Sequence, residues 1–265
     1  MSSSFDSPRR RQVRALRRLF ARLSLSGLLG FAGCAWHRDA ALPDTQATLA
    51  DRLGRARIIF IAEKHDEASH HRLQEQIIRA LHRRKQPLTV GMEMIDVTQQ
   101  AALDDYLGKK IRWREFASRT AFDRGWGRTS PAYEHIISWC RRNGVPIIGL
   151  NAPNTITRKL SRNQPLSAEE KQIVPNYPEP RGAFEQFRAA MAGHQKRGGL
   201  HHNFEAQRAW DQTMAGRILA WLPDHCGTLV VLLGRFHADA RTAVPWYVAR
   251  SSSARQIILD PESKQ

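Results

Sequence analysis

The chain has 265 residues and a formal charge of +16, with the composition of an ordinary globular protein. That length supports one sizeable core or two modest domains, and it excludes collagen-like and low-complexity classes. The charge favours anionic surfaces or anionic small molecules; nucleic acid is excluded as a partner because the basic residues are scattered and form none of the recognised binding modules.

Residues 1–33 read as a signal peptide. Seven arginines between Arg9 and Arg22 stand against Asp6, so +6 of the charge sits here and +10 remains for the rest. A short apolar run from Leu23 to Gly33 follows, too short to span a bilayer. It ends in Phe31-Ala32-Gly33-Cys34, which resembles a bacterial lipobox, with Phe31 where leucine is usual. Lipidation at Cys34 would anchor the chain to a membrane of the bacterial cell envelope. Arg17-Arg18-Leu19-Phe20 also resembles the core of a twin-arginine signal, so the export route stays open. Residues 34–50 are polar and read as a tether. Of the remaining cysteines, Cys140 reads as a buried helix residue, and the sequence leaves open whether it meets Cys226.

The folded domain is expected over 51–265. Apolar runs of strand length occur at 57–62, 88–93, 145–150, 229–234 and 256–259. Helical patterns lie between them: Leu73, Ile77 and Leu81 after the first run, and Tyr133, Ile136, Ile137 and Cys140 before the third. This alternation predicts an α/β fold, a mostly parallel central sheet flanked by helices. Residues 152–225 break the rhythm with Pro153, Pro165, Pro175, Pro178 and Pro180, a Gly198-Gly199 pair and helical stretches at 183–192 and 204–222. They are expected to form a helical cap insertion.

The informative residues are polar groups placed where apolar strands stop. Glu63 and His65 follow the first strand, Glu93 ends the second, Asn151 follows the third and His237 follows the fourth. In a parallel sheet these ends share one edge, where open α/β sheets place their ligands. Two carboxylates and two histidines there can act as general acid and base or ligate a divalent metal. His70, His71 and Gln74 open the first helix; His70 and Gln74 share a face that either points to the same edge or is the polar start of an exposed helix. No Gly-rich phosphate loop, G-x-S-x-G elbow, H-E-x-x-H or paired C-x-x-C occurs, which removes nucleotide-binding, α/β-hydrolase and zinc-finger readings.

The ordered set of motifs resembles the ChaN family of haem-binding lipoproteins, within the Tiki/erythromycin-esterase-like superfamily. It runs through Ala62-Glu63-Lys64-His65-Asp66, His70-His71-Arg72-Leu73-Gln74, Gly91-Met92-Glu93-Met94, Leu150-Asn151-Ala152-Pro153, Gln207 to Ala215 and Gly234-Arg235-Phe236-His237. The chain departs from the family at Ala62, where glycine is usual, and at Arg235-Phe236, where small residues are usual; the latter places bulk and charge at the pocket mouth. The resemblance implies haem as cofactor, tyrosine ligation of its iron, a homodimer holding paired haems, and a role in iron uptake. Tyr177, between Pro175 and Pro178, is the candidate phenolate ligand, with His70, His71 and Gln74 of the first helix and His194, His201 and His202 in the cap as further candidate haem contacts. The wider superfamily also implies an alternative, a hydrolase of esterase or metalloprotease type using Glu63, His65, Glu93 and His237.

Overall fold

A computed structural model describes residues 53–192 and 199–263 of the chain. Cys34, the tether and His194 lie outside the described residues. In chain order the elements are β1 (Ile58–Glu63), α1 (Ala68–His82), β2 (Leu88–Asp96), α2 (Gln100–Leu107), α3 (Trp113–Thr120), α4 (Phe122–Trp126), α5 (Ser130–Asn143), β3 (Ile147–Asn151), α6 (Asn154–Ser161), α7 (Ala168–Ile173), α8 (Ala183–Ala190), α9 (Leu200–Trp221), β4 (Thr228–Gly234), α10 (Val244–Ser251) and β5 (Gln256–Leu259).

The strands form one sheet in the order β3-β2-β4-β1-β5, with every neighbouring pair parallel. All five expected strands are present. β3 begins two residues later than the pattern suggested, because Pro146 has no N–H to give to a ladder. β2 runs three residues past Glu93, so Glu93 lies within the strand rather than at its end. Its pairing to β4 is regular from Leu88 to Met92, and its register against β3 shifts between Met92 and Asp96. That irregularity frees the backbone around Glu93 from a regular ladder.

Alternation along the central strands feeds two cores. Ile59 and Ile61 of β1, Val90 and Met92 of β2, and Val230 and Leu232 of β4 face α1 and α5. Ile58, Phe60, Ala62, Leu229, Val231 and Leu233 face Met214, Ala215 and Ile218 of α9 and Val244 and Val248 of α10. Strands apolar on both faces are what a parallel sheet covered by two helical layers requires. Within residues 152–225 the described elements are all helices, α6 to α9, joined by irregular segments such as 174–182. Their longest helix, α9, does more than cap: its C-terminal half covers one face of the sheet, and its N-terminal half carries polar groups to the sheet's C-terminal edge.

Cys140 is fully buried in α5, Cys226 is exposed, and both are free thiols. Burial, with Glu75 nearby, pushes the Cys140 thiol up to about 12, so it serves as a packing residue.

Candidate functional site

Side chains alternate across a strand, so the two carboxylates of the candidate site point to opposite faces of the sheet. Glu63 follows Ile59 and Ile61 toward α1 and α5. Its carboxylate is 1% exposed and fully engaged. Oε1 accepts from the Tyr133 hydroxyl at 2.5 Å and lies 2.8 Å from His65 Nδ1. Oε2 accepts from Gln74 Nε2 at 2.5 Å, with His71 Nε2 at 3.5 Å. His71 and Gln74 are one helical step apart on α1, with Ile77, Ile78 and Leu81 continuing the same buried face. Burial alone would raise the Glu63 carboxyl. The hydrogen bonds from His65 and Tyr133, and the charge on His65, outweigh it and hold Glu63 below the usual carboxylate range. The same surroundings push the Tyr133 phenol up and keep it protonated, while burial lowers His71 and keeps it neutral.

Glu93 points the other way, toward α9. Its Oε2 accepts the backbone N–H of Gly234 at 2.6 Å, taking the place of a strand carbonyl where the β2–β4 ladder has stopped. Its Oε1 lies 3.4 Å from His237 Nε2. The other ring nitrogen of His237 lies 2.6 Å from Asp211 Oδ1 and 3.1 Å from the Gln207 amide. With a carboxylate at each nitrogen, the ring is held as the imidazolium. Burial works against that charge, but Glu93 and Asp211 overcome it and lift His237 to about 9. Burial also presses the Asp211 carboxyl upward against the His237 charge; the two share one proton, and it resides on the ring because the ring faces a second carboxylate.

His65 joins the two halves. Its ring lies over the end of β4, with Nδ1 on Glu63 and Nε2 at 3.8 Å from Glu93 Oε1. A Cβ at Gly234 would come within 2.9 Å of His65 Nε2 and 3.5 Å of Glu93 Oε2, so only glycine lets the ring lie there. Burial disfavours the His65 charge, but the Glu63 hydrogen bond and the charges of Glu93 and Glu63 outweigh it and raise its pKa. Trp126 packs on the ring at 5.1 Å between centroids and is itself fixed by donating Nε1–H to the Met94 carbonyl.

This edge opens into a cleft of about 1060 Å³, lined by Glu63, His65, Trp126, Gln207, Phe236, His237 and Ile258 among others. Phe236 is 64% exposed at its rim, the bulk expected at the mouth. Arg235 is neutralised by Asp260 at 2.9 Å and Glu262 at 3.1 Å. Glu262 also binds Lys64 at 2.7 Å, so one carboxylate braces the residues that precede both site histidines.

Other expected residues fall elsewhere. His70 accepts the Lys64 backbone N–H on its Nδ1, supporting the loop that carries His65. Asn151 caps its own turn at the N–H of Ala152 on the edge strand β3. His201 stacks near Phe184 in the first turn of α9, beside His202. Tyr177 packs on Tyr247 at 5.8 Å between centroids, its hydroxyl against the Gly216 turn of α9. It is absent from the cleft lining because the extended Pro175–Pro178 segment runs along α9 rather than over the sheet edge. Among the described residues no three His, Cys, Asp or Glu side chains are disposed to hold a metal ion, so the divalent-metal alternative has no ligand set. Sequence reasoning left Tyr133, Gln207 and Asp211 out of the site. The i, i+4 spacing of Gln207 and Asp211 puts both on one helical face and was the available signal.

The sequence matches the family described as haem-binding uptake, Tiki superfamily, ChaN, over residues 49–248. The chain belongs to this family. ChaN of Campylobacter jejuni, whose structure is described as binding haem cofacially, superposes with a TM-score of 0.66 at 22% identity, covering 82% of this chain and 86% of that one. A Bacillus cereus protein of known structure shares the fold with a TM-score of 0.50 at 14% identity, covering 83% of this chain and 69% of that chain. The chain is also 24% identical to RETICULATA-RELATED 5 of Arabidopsis thaliana over 80% of its length, and spans about a third (32%) of that protein.

The raised His237 pKa fixes a pH dependence. A folded value of about 9 lies above the ordinary 6.5, so the stabilisation from the charged ring is fully present below pH 6.5 and is lost as pH rises through about 9. The urea midpoint should fall over that window, with His65 adding in the same direction. In His237→Gln the fall should be shallower; an unchanged profile would assign the titration to another group.

Proposed function

We propose that this chain is a lipid-anchored haem-binding protein of the bacterial cell envelope that serves haem and iron uptake. Membership of the haem-binding ChaN family carries the reading. The cleft supports it on physical grounds. At about 1060 Å³ it lies just above the usual range for ligand pockets, about 300–1,000 Å³, with room for a macrocycle. Trp126, Phe236 and Ile258 supply apolar wall, and His65 supplies a partly exposed nitrogen donor. The group, when bound, supplies a redox-active iron; the chain's own part is to desolvate one face of the ring and present a donor. The cofacial haems described for the Campylobacter jejuni relative suggest the same two-copy arrangement here.

Haemin titrated into the purified chain should bind stoichiometrically with a shifted Soret band, and sizing should show dimer formation on loading. A chain that leaves the haemin spectrum as in buffer would refute the reading. The anchor is tested separately: labelled palmitate fed to cells expressing the chain should be incorporated, and Cys34→Ser should abolish incorporation.

One observation favours a second activity. His65, with Nδ1 held by buried Glu63, presents an oriented imidazole base at the cleft. A base oriented by a carboxylate is the arrangement that activates water. As a hydrolase the chain should cleave an ester substrate without haem, with loss of about 100-fold or more in kcat/KM for His65→Ala; equal rates in the variant would dismiss this activity.

A further inference from the structure

The four tyrosines of the chain are Tyr106, Tyr133, Tyr177 and Tyr247, and all are described. None offers its hydroxyl to the cleft. Tyr106 is 2% exposed and bonded to Ser138 at 2.9 Å. Tyr133 is fully buried and donates its proton to Glu63. Tyr247 is 2% exposed beneath α9, and Tyr177 packs on it from the same side. A phenolate ligand, which the family resemblance led us to expect at Tyr177, is therefore not presented by this chain to its own cleft.

The histidines of the cleft differ sharply. Both nitrogens of His237 face carboxylates, so its ring has no lone pair to give. In His65 the hydrogen-bond network fixes the tautomer. Nδ1 faces Glu63 Oε1 at 2.8 Å, an oxygen that only accepts, and the Tyr133 oxygen at 3.1 Å, whose own proton is committed to Glu63. Nδ1 must then carry the hydrogen, and Nε2 of the neutral ring carries the lone pair. Nε2 stands 3.8 Å from Glu93, beyond hydrogen-bonding distance, in a side chain 38% exposed to the cleft. A ring whose Nδ1–H is held by a carboxylate while Nε2 stays free is the arrangement that orients an iron-ligating histidine and raises its basicity.

We infer that His65 Nε2 is the axial donor this chain offers to haem iron, with Glu63 as the hydrogen-bond partner that orients it. The inference rests on the haem reading above and goes beyond it by naming the donor and its kind. Gln74, His71 and Tyr133 act through Glu63 as positioning residues: they hold its carboxylate charged and fixed, so that it accepts from Nδ1 and does not compete for iron.

The test uses the full chain loaded with haemin and reduced under anaerobic conditions, read by resonance Raman scattering. The wild-type protein should show an iron–histidine stretch. His65→Ala should lose it, and added imidazole should restore it, which a purely structural role for His65 would not allow. Glu63→Gln should keep the band at lower frequency and weaken haemin binding about 10–100-fold. Tyr177→Phe should leave the spectrum unaltered. Wild-type protein that binds haemin without an iron–histidine band overturns the assignment while leaving haem binding intact, and this reading needs no variant to fold. A band that persists in His65→Ala overturns it equally. Wild-type protein that takes up no haemin overturns the haem reading and the assignment together.

Discussion

The Glu63 carboxylate sits at the end of β1, 1% exposed, in a chain that surrounds it with His65, Tyr133, Gln74 and His71. A buried carboxylate stripped of partners costs about 3–5 kcal/mol, so the group can be kept only if every oxygen is occupied. That requirement reaches far into the fold. It fixes the face that α1 turns inward, it explains a buried phenol in the first turn of α5, and it pins the loop after β1 so that His65 lies across the sheet edge. The apolar layers of the α1 and α5 side continue from this polar plug without a break.

On the other face α9 performs the same service for Glu93. Asp211, itself bonded by Gln207, fixes His237, and His237 approaches Glu93, whose other oxygen takes the Gly234 N–H. Each carboxylate has its partners on its own side of the sheet. They meet because Gly234, at the last ladder position opposite Glu63, has no side chain to keep His65 and Glu93 apart. Moving outward, Glu262 ties Lys64 and Arg235 together, so the loops bearing the two histidines are braced at the rim as well as at the floor.

The two halves have different chemistry for a physical reason. His237 is enclosed between two carboxylates and holds its proton; His65 has one carboxylate at one nitrogen and the cleft at the other. One is a fixed cation and the other an oriented base or donor. An oriented imidazole beside a fixed cation suits iron ligation and water activation alike, which is why a haem-binding family and the hydrolase reading lead to the same residues.

The sequence by itself determined the sheet. Apolar runs of strand length separated by helical periodicity specify parallel strands buried on both faces, and Glu63, His65, Glu93 and His237 were legible because polar groups stand out where such runs stop. Gln74 was visible as a candidate for this edge, but on a face shared with His70; the structure pairs it with His71 at Glu63 and turns His70 to the Lys64 backbone. What the sequence left undetermined depends on contacts between residues far apart along the chain. The opposite aims of Glu63 and Glu93 follow from strand parity combined with strand order, β4 lying between β2 and β1. The roles of Tyr133 and Asp211 follow from where two helices cross the sheet edge, which no local pattern encodes. Tyr177 shows the limit from the other side: a residue type fit for iron, placed by the path of a proline-bound segment along α9, away from the cleft. Local patterning selects elements because backbone periodicity is a short-range property; which side chains converge is decided only when the tertiary fold brings their elements to one edge.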